Sequence, residues 1–198
     1  MRGRQRTVAW TLRGLSLRPV LSFVIFLRPL MSLYTLKPRF QALLRPSVRT
    51  LHGFGVTANQ VTVAACAASV GLGATLAAAA QSAHLSWFLL LPIGFLLRMA
   101  LNAIDGMLAR EFAQSSTLGA YLNELCDMVS DAALYLPFAL LPDQSPALTI
   151  LVILLANIAE MAGVLRIPPT SPRRYDGPMG KSDRALVFGV LGLLVGMG

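Results

Sequence analysis

Charged side chains are scarce in this chain. They make up 13% of its 198 residues against 55% hydrophobic, and no Asp, Glu, Lys or Arg occurs between Arg49 and Arg98. Together with a mean hydropathy of +0.63, that scarcity excludes a soluble globular domain as the starting class. A bilayer core is crossed by about 20 predominantly apolar residues per helix, so the uncharged interval holds one span and most of a second. Cysteine is scarce too. Cys66 and Cys126 both fall inside apolar runs, which excludes a disulfide framework and a thiolate metal site. Cys126 lies about 100° around its helix from Asp127 and reads as packing. No internal repeat occurs, and the only Pro-rich stretch, Pro168 to Pro178, reads as a loop rather than a domain linker.

What is present is a series of apolar segments. Spans are expected near 60–81, 87–109, 118–141 and 147–165, with a fifth beginning near Ala185. They must be helices, because an open sheet in lipid would leave backbone groups unpaired. The expected class is therefore all-α, a polytopic transmembrane bundle. The 14 residues from Ala185 to Gly198 make only about 21 Å of helix against a hydrocarbon core of about 30 Å. Either the last helix is re-entrant or the sequence is a fragment, and the shortfall favours a fragment of a six-span protein.

Three regions are expected. Residues 1–30 form a basic extension, unless translation begins at Met31, in which case they have no role in the fold. Residues 31–56 form an amphipathic interfacial segment. Its Phe40, Leu43, Leu44, Val48 and Leu51 lie near one face, and Lys37, Arg39, Arg45 and Arg49 are able to meet anionic headgroups. Pro46 is expected to kink or split that helix. Residues 57–198 form the transmembrane domain.

The net charge of +8, from 17 basic and 9 acidic residues, would by itself suggest nucleic acid. Its distribution excludes that. Ten basic residues precede the first span and five (Arg166, Arg173, Arg174, Lys181, Arg184) follow the fourth, while the loops near 82–86 and 142–146 have none. By the positive-inside rule the N-terminus and the residues around Arg110 face the cytoplasm.

The acids that do occur are patterned. Arg98, Asn102, Asp105 and Ala109 follow steps of four, three and four, so they share one helical face. On the next span Gly119, Asn123, Asp127 and Asp131 are each four apart, with Glu124 beside Asp127. Gly106, Ala109, Gly119 and Ala120 are small enough to let these two helices approach closely. A single Asn would merely hydrogen-bond the bundle together. This density of carboxylates would repel or protonate unless a cation were bound. Oxygen donors suit a hard cation such as Mg²⁺ rather than zinc, and Mg²⁺ typically completes its shell with substrate phosphates. His52 and His84 lie away from the motif and are incidental.

The run Asp105-Gly106-x2-Ala109-Arg110-x8-Gly119-x3-Asn123-x3-Asp127 resembles the signature of the CDP-alcohol phosphatidyltransferases, integral membrane enzymes. Upstream, Thr57-Ala58-Asn59-Gln60-Val61-Thr62 looks like the Asn-x-x-Thr that opens the family's first motif-bearing helix. The family pattern has four aspartates holding two metal ions, and two of those positions are Asn102 and Asn123 here. The resemblance implies a metal site at Asn102, Asp105, Asn123 and Asp127, with Glu124 and Asp131 placed to restore the missing charge. It would hold one or two ions of Mg²⁺ or Mn²⁺.

Asp127 would also be the general base. Asn59, Thr62, Gly106, Arg110 and Ser116 would contact a CDP-lipid. Arg173, Arg174, Lys181 and Arg184 would hold an acceptor phosphate, with Ser182 capping the following helix. Glu160 and Asn157 share a face of span four that would line the same cavity. The implied reaction is attack by an alcohol, or alcohol phosphate, on CDP-diacylglycerol with release of CMP. The implied setting is a bacterial inner membrane among its lipids, without nucleic acid, in a chain that is dimeric as the family commonly is. Two other readings stay open. The asparagines fit a catalytically silent CDP-lipid binder. A cation transporter is disfavoured by the almost wholly apolar distal halves Val70–Ala80 and Ala132–Leu141.

Overall fold

The computed structural model describes residues 33–142, 144–164 and 180–198, and every regular element among them is helical. Helix α1 spans Leu33–Gly53 and α2 Ala58–Gln81; a 3₁₀ turn, Leu85–Leu90, runs into α3, Leu91–Glu111. Helix α4, Thr117–Tyr135, continues into a second 3₁₀ turn, Leu136–Leu140, before α5, Pro146–Val164, and α6, Lys181–Met197. These bounds fall within a few residues of the expected spans. The basic extension at 1–30 and the loop bearing Arg166, Arg173 and Arg174 lie outside the described residues.

Local chemistry sets the helix starts. Thr57 caps α2: its hydroxyl accepts the Gln60 N–H at 3.3 Å, and the Gln60 side chain accepts the Thr57 N–H at 2.9 Å. Another donor of that first turn, the Ala58 N–H, goes to Gln114 Oε1 at 2.7 Å. Gln114 reaches it from the α3–α4 turn, where Ala113 takes the left-handed φ of 54°. Ser116 then caps α4 by accepting the Gly119 N–H at 2.9 Å.

Among the described residues two helical stretches, Ala58–Gln81 and Leu85–Glu111, are long and apolar enough to cross a membrane. Around them Ile93, Leu96, Leu154, Leu155 and Ile158 are all more than half exposed, a surface that suits lipid rather than water. Inside, Phe88, Leu91, Phe95, Leu134, Tyr135, Phe138 and Phe188 form one core, with Tyr135 stacked on Phe188 at 3.9 Å.

Helix α2 packs against both α3 and α4, and Gly73 marks its tightest crossing. A Cβ there would sit 2.8 Å from the backbone carbonyl carbon of Ala133. Gly73→Ala therefore forces α2 and α4 apart and should destabilise by about 1–3 kcal/mol, the usual cost of overpacking. A thermal melt in detergent should show the drop, while Gly71→Ala, with nothing within 4 Å of its added methyl, should melt as the parent does.

Two features of helix α1 bear on the kink or split expected at Pro46 and on the apolar face. The helix is not split: it runs through both Pro38 and Pro46. Part of its apolar face also serves the protein rather than an interface, since Val48 is fully buried with Ala58, Val61, Ile104, Met107 and Leu108, and Leu44 and Leu51 pack alongside. That packing, with the Arg45–Glu111 ion pair at 2.9 Å, accounts for a helix that tolerates a missing N–H. Leu43, 74% exposed, is left facing outward.

Candidate functional site

Helices α3 and α4 are joined by a short turn, so their polar faces meet, and the first turn of α6 closes over them. Asp127 stands at the junction. Its Oδ1 accepts from Arg98 Nη2 at 3.2 Å and from Asn102 Nδ2 at 2.9 Å, and its Oδ2 pairs with the Lys181 ammonium. Arg98 Nη2 also donates to the Asp127 backbone carbonyl at 3.0 Å. One turn along, Asp131 has a guanidinium on each oxygen: Arg98 on Oδ1 and Arg184 on Oδ2 at 2.9 Å. Arg184 reaches further to Glu160 of α5 at 2.6 Å.

Arg98, Asp127, Asp131, Glu160 and Arg184 are all buried, a placement that is costly unless charges are matched. They are matched. Three cations (Arg98, Lys181, Arg184) face three carboxylates (Asp127, Asp131, Glu160) across four helices.

Asp105 sits beside this cluster, within electrostatic reach of Asp127 and Lys181, and its Oδ2 accepts the Thr62 hydroxyl of α2 at 2.8 Å. Thr62 thus meets the site through a carboxylate. Asn59 and Ser116 converge across Gly119, where a Cβ would lie 2.7 Å from Asn59 Oδ1 and 3.0 Å from Ser116 Oγ. Gly106 keeps its backbone bare beneath the Arg110 guanidinium, which a Cβ would approach to 3.0 Å. Asn59 and Ser116 therefore lie along the α2–α4 seam and Thr62 faces α3, with Gly106 and Arg110 on the last turns of α3.

Some residues are redirected from their expected surroundings. Asp131, expected beside a metal ion, has both oxygens on guanidinium groups. Arg184, expected on an acceptor phosphate, turns inward to Asp131 and Glu160. Ser182 does not cap α6; the cap position is Gly180, whose N–H goes to Asp183 Oδ2 at 3.2 Å. Asn123 is half-buried and Glu124 buried, both on α4. Arg173 and Arg174 lie outside the described residues. Sequence reasoning placed Arg98 on the polar face without a role, although a lone arginine ending a long uncharged stretch was the signal that it clasps buried acids.

A two-ion carboxylate centre does not fit this donor set. Asn102 turns its amide N–H toward Asp127, and each Asp127 oxygen already faces nitrogen donors. Among the described residues no group of three or more His, Cys, Asp or Glu side chains is arranged to hold a metal ion. The same geometry suits handling of an anion. Gly106, with its bare backbone under the Arg110 guanidinium, directly follows Asp105, and Lys181 at a helix N-terminus pairs with Asp127.

A family model described as CDP-alcohol phosphatidyltransferase matches residues 55–196. Among curated proteins, the inner membrane protein YnbA of Escherichia coli (strain K12) is 52% identical over 165 residues, covering 83% of this chain and 81% of that protein. No solved structure matches the chain.

Proposed function

The chain belongs to the CDP-alcohol phosphatidyltransferase family, and from that premise we propose that it moves a phosphatidyl group from CDP-diacylglycerol to an alcohol or alcohol phosphate. CMP is the other product. The observation that carries this reading is the convergence of α3, α4 and α6 on Asp105 and Asp127, the two aspartates that stand at signature positions.

Phosphoryl transfer demands mainly positioning and charge stabilisation from a protein. The acceptor oxygen attacks the lipid-side phosphorus, the bond to the CMP oxygen breaks, and the acceptor's proton passes to Asp127. Arg98 and Asn102 hold that carboxylate in place from one side. Gly106 admits the diphosphate close to backbone, with Arg110 above it, while Asn59 and Ser116 guide the nucleotide along the α2–α4 seam. Arg173 and Arg174 remain our assignment for an acceptor phosphate. Family members typically use a divalent metal, yet the donor set here supports no two-ion mechanism. The distribution of basic residues and the relative's name support an inner membrane location with this site facing the cytoplasm.

Full-length protein in detergent or nanodiscs, given labelled CDP-diacylglycerol and a panel of alcohols and alcohol phosphates, should release CMP with one acceptor class. Retained CDP-diacylglycerol binding with no CMP release from any acceptor would sink the transferase reading. That outcome would establish the second one, a silent CDP-lipid binder, which Asn102 and Asn123 favour.

A further inference from the structure

Asp127 is enclosed by the protein's own cations. Arg98 and Asn102 donate to its Oδ1 at 3.2 and 2.9 Å, and the Lys181 ammonium meets its Oδ2. A hard divalent ion is held by carboxylates in excess of nearby positive charge. Here Asp127 itself is already matched by Arg98 and Lys181, and amides stand at 102 and 123.

Lys181 is also placed differently from the two arginines. Its side chain keeps 32% of its surface exposed, where Arg98 keeps 4%. It stands at the first residue of α6, where backbone N–H groups and the helix dipole favour an anion. An ammonium carries three N–H groups, enough to stay on Asp127 and donate to a phosphate as well.

Resting on the phosphatidyltransferase reading, we infer that Lys181 is a built-in counter-cation. It takes the side of Asp127 that a divalent ion would occupy and receives the diphosphate of the CDP-lipid, so that binding does not require a metal ion there. The acids of the signature and the head of α6 then act as one unit, with the lysine bridging carboxylate and substrate.

Calorimetry of CDP-diacylglycerol binding to the full chain, with EDTA or with Mg²⁺, tests this directly. Wild-type affinity should be essentially the same in both. Lys181→Met should weaken binding in EDTA by roughly 10- to 100-fold, the value of one charge-assisted contact, and Lys181→Arg should retain metal-independent binding. Mn²⁺ followed by electron paramagnetic resonance gives a lipid-free readout. Lys181→Met frees Asp127 and should raise Mn²⁺ affinity above wild type, and Asn102→Asp with Asn123→Asp should raise it further.

Wild-type binding that collapses by about tenfold or more on chelation would overturn the inference and leave the proposed function standing. So would Mn²⁺ held as tightly by wild type as by Lys181→Met. Absence of CDP-diacylglycerol binding in both conditions would remove the proposed function and this inference together.

Discussion

Asp127→Asn should lower CMP release by about 10³-fold, the middle of the range for loss of a positioned general base. The substitution keeps size and shape, so the amide oxygen can still accept from Arg98 and Asn102 as Oδ1 does now. What it loses is the negative charge and a place for the acceptor's proton. Its NH₂ would also point at the Lys181 ammonium, donor against donor, where Oδ2 now pairs with it. Labelled CMP release, normalised to folded protein, is the measurement. Turnover within tenfold of wild type would show that the proton leaves by another route.

Asp131→Ala should be the most destabilising single change in the bundle. Both Asp131 oxygens are engaged, one by Arg98 and one by Arg184, and the side chain is 1% exposed. Removing it leaves guanidinium charge buried without its main partner, which typically costs about 3–5 kcal/mol. A thermal melt in detergent should show a large drop in Tm. Asp131→Asn, which keeps an acceptor of the same shape, should fall between Asp131→Ala and wild type. A melt unchanged by Asp131→Ala would mean that the arginines find water or lipid phosphate instead.

Helix positions were legible in the sequence because they depend on near neighbours. Apolar runs set the lengths, and steps of three and four put Arg98, Asn102 and Asp105 on one face. The differences between like residues were not legible. Asp127 and Asp131 share a face four residues apart and look equivalent. Only the fold brings Arg184, 53 positions away, onto one and Lys181 onto the other. Asn102 read as an oxygen donor because amides ligate hard cations, yet the carboxylate opposite selects its N–H. Pro46 left a kink or a split open, and the packing of Val48 that keeps the helix continuous is a tertiary fact. Ser182 was the obvious cap by residue type, but the chain places Asp183 within reach of the Gly180 N–H.

The charge cluster also imposes an order on synthesis and membrane insertion. Counted as the chain emerges, the cluster holds one positive charge after α3, from Arg98. Asp127 and Asp131 turn it negative with α4, and Glu160 adds a second uncompensated negative charge with α5. Neutrality arrives only with Lys181 and Arg184 at the head of α6. Until then the nascent bundle carries carboxylates without their full complement of counter-charges, a costly state inside a membrane. Helix α6 is thus the latch that commits the helices before it to their places.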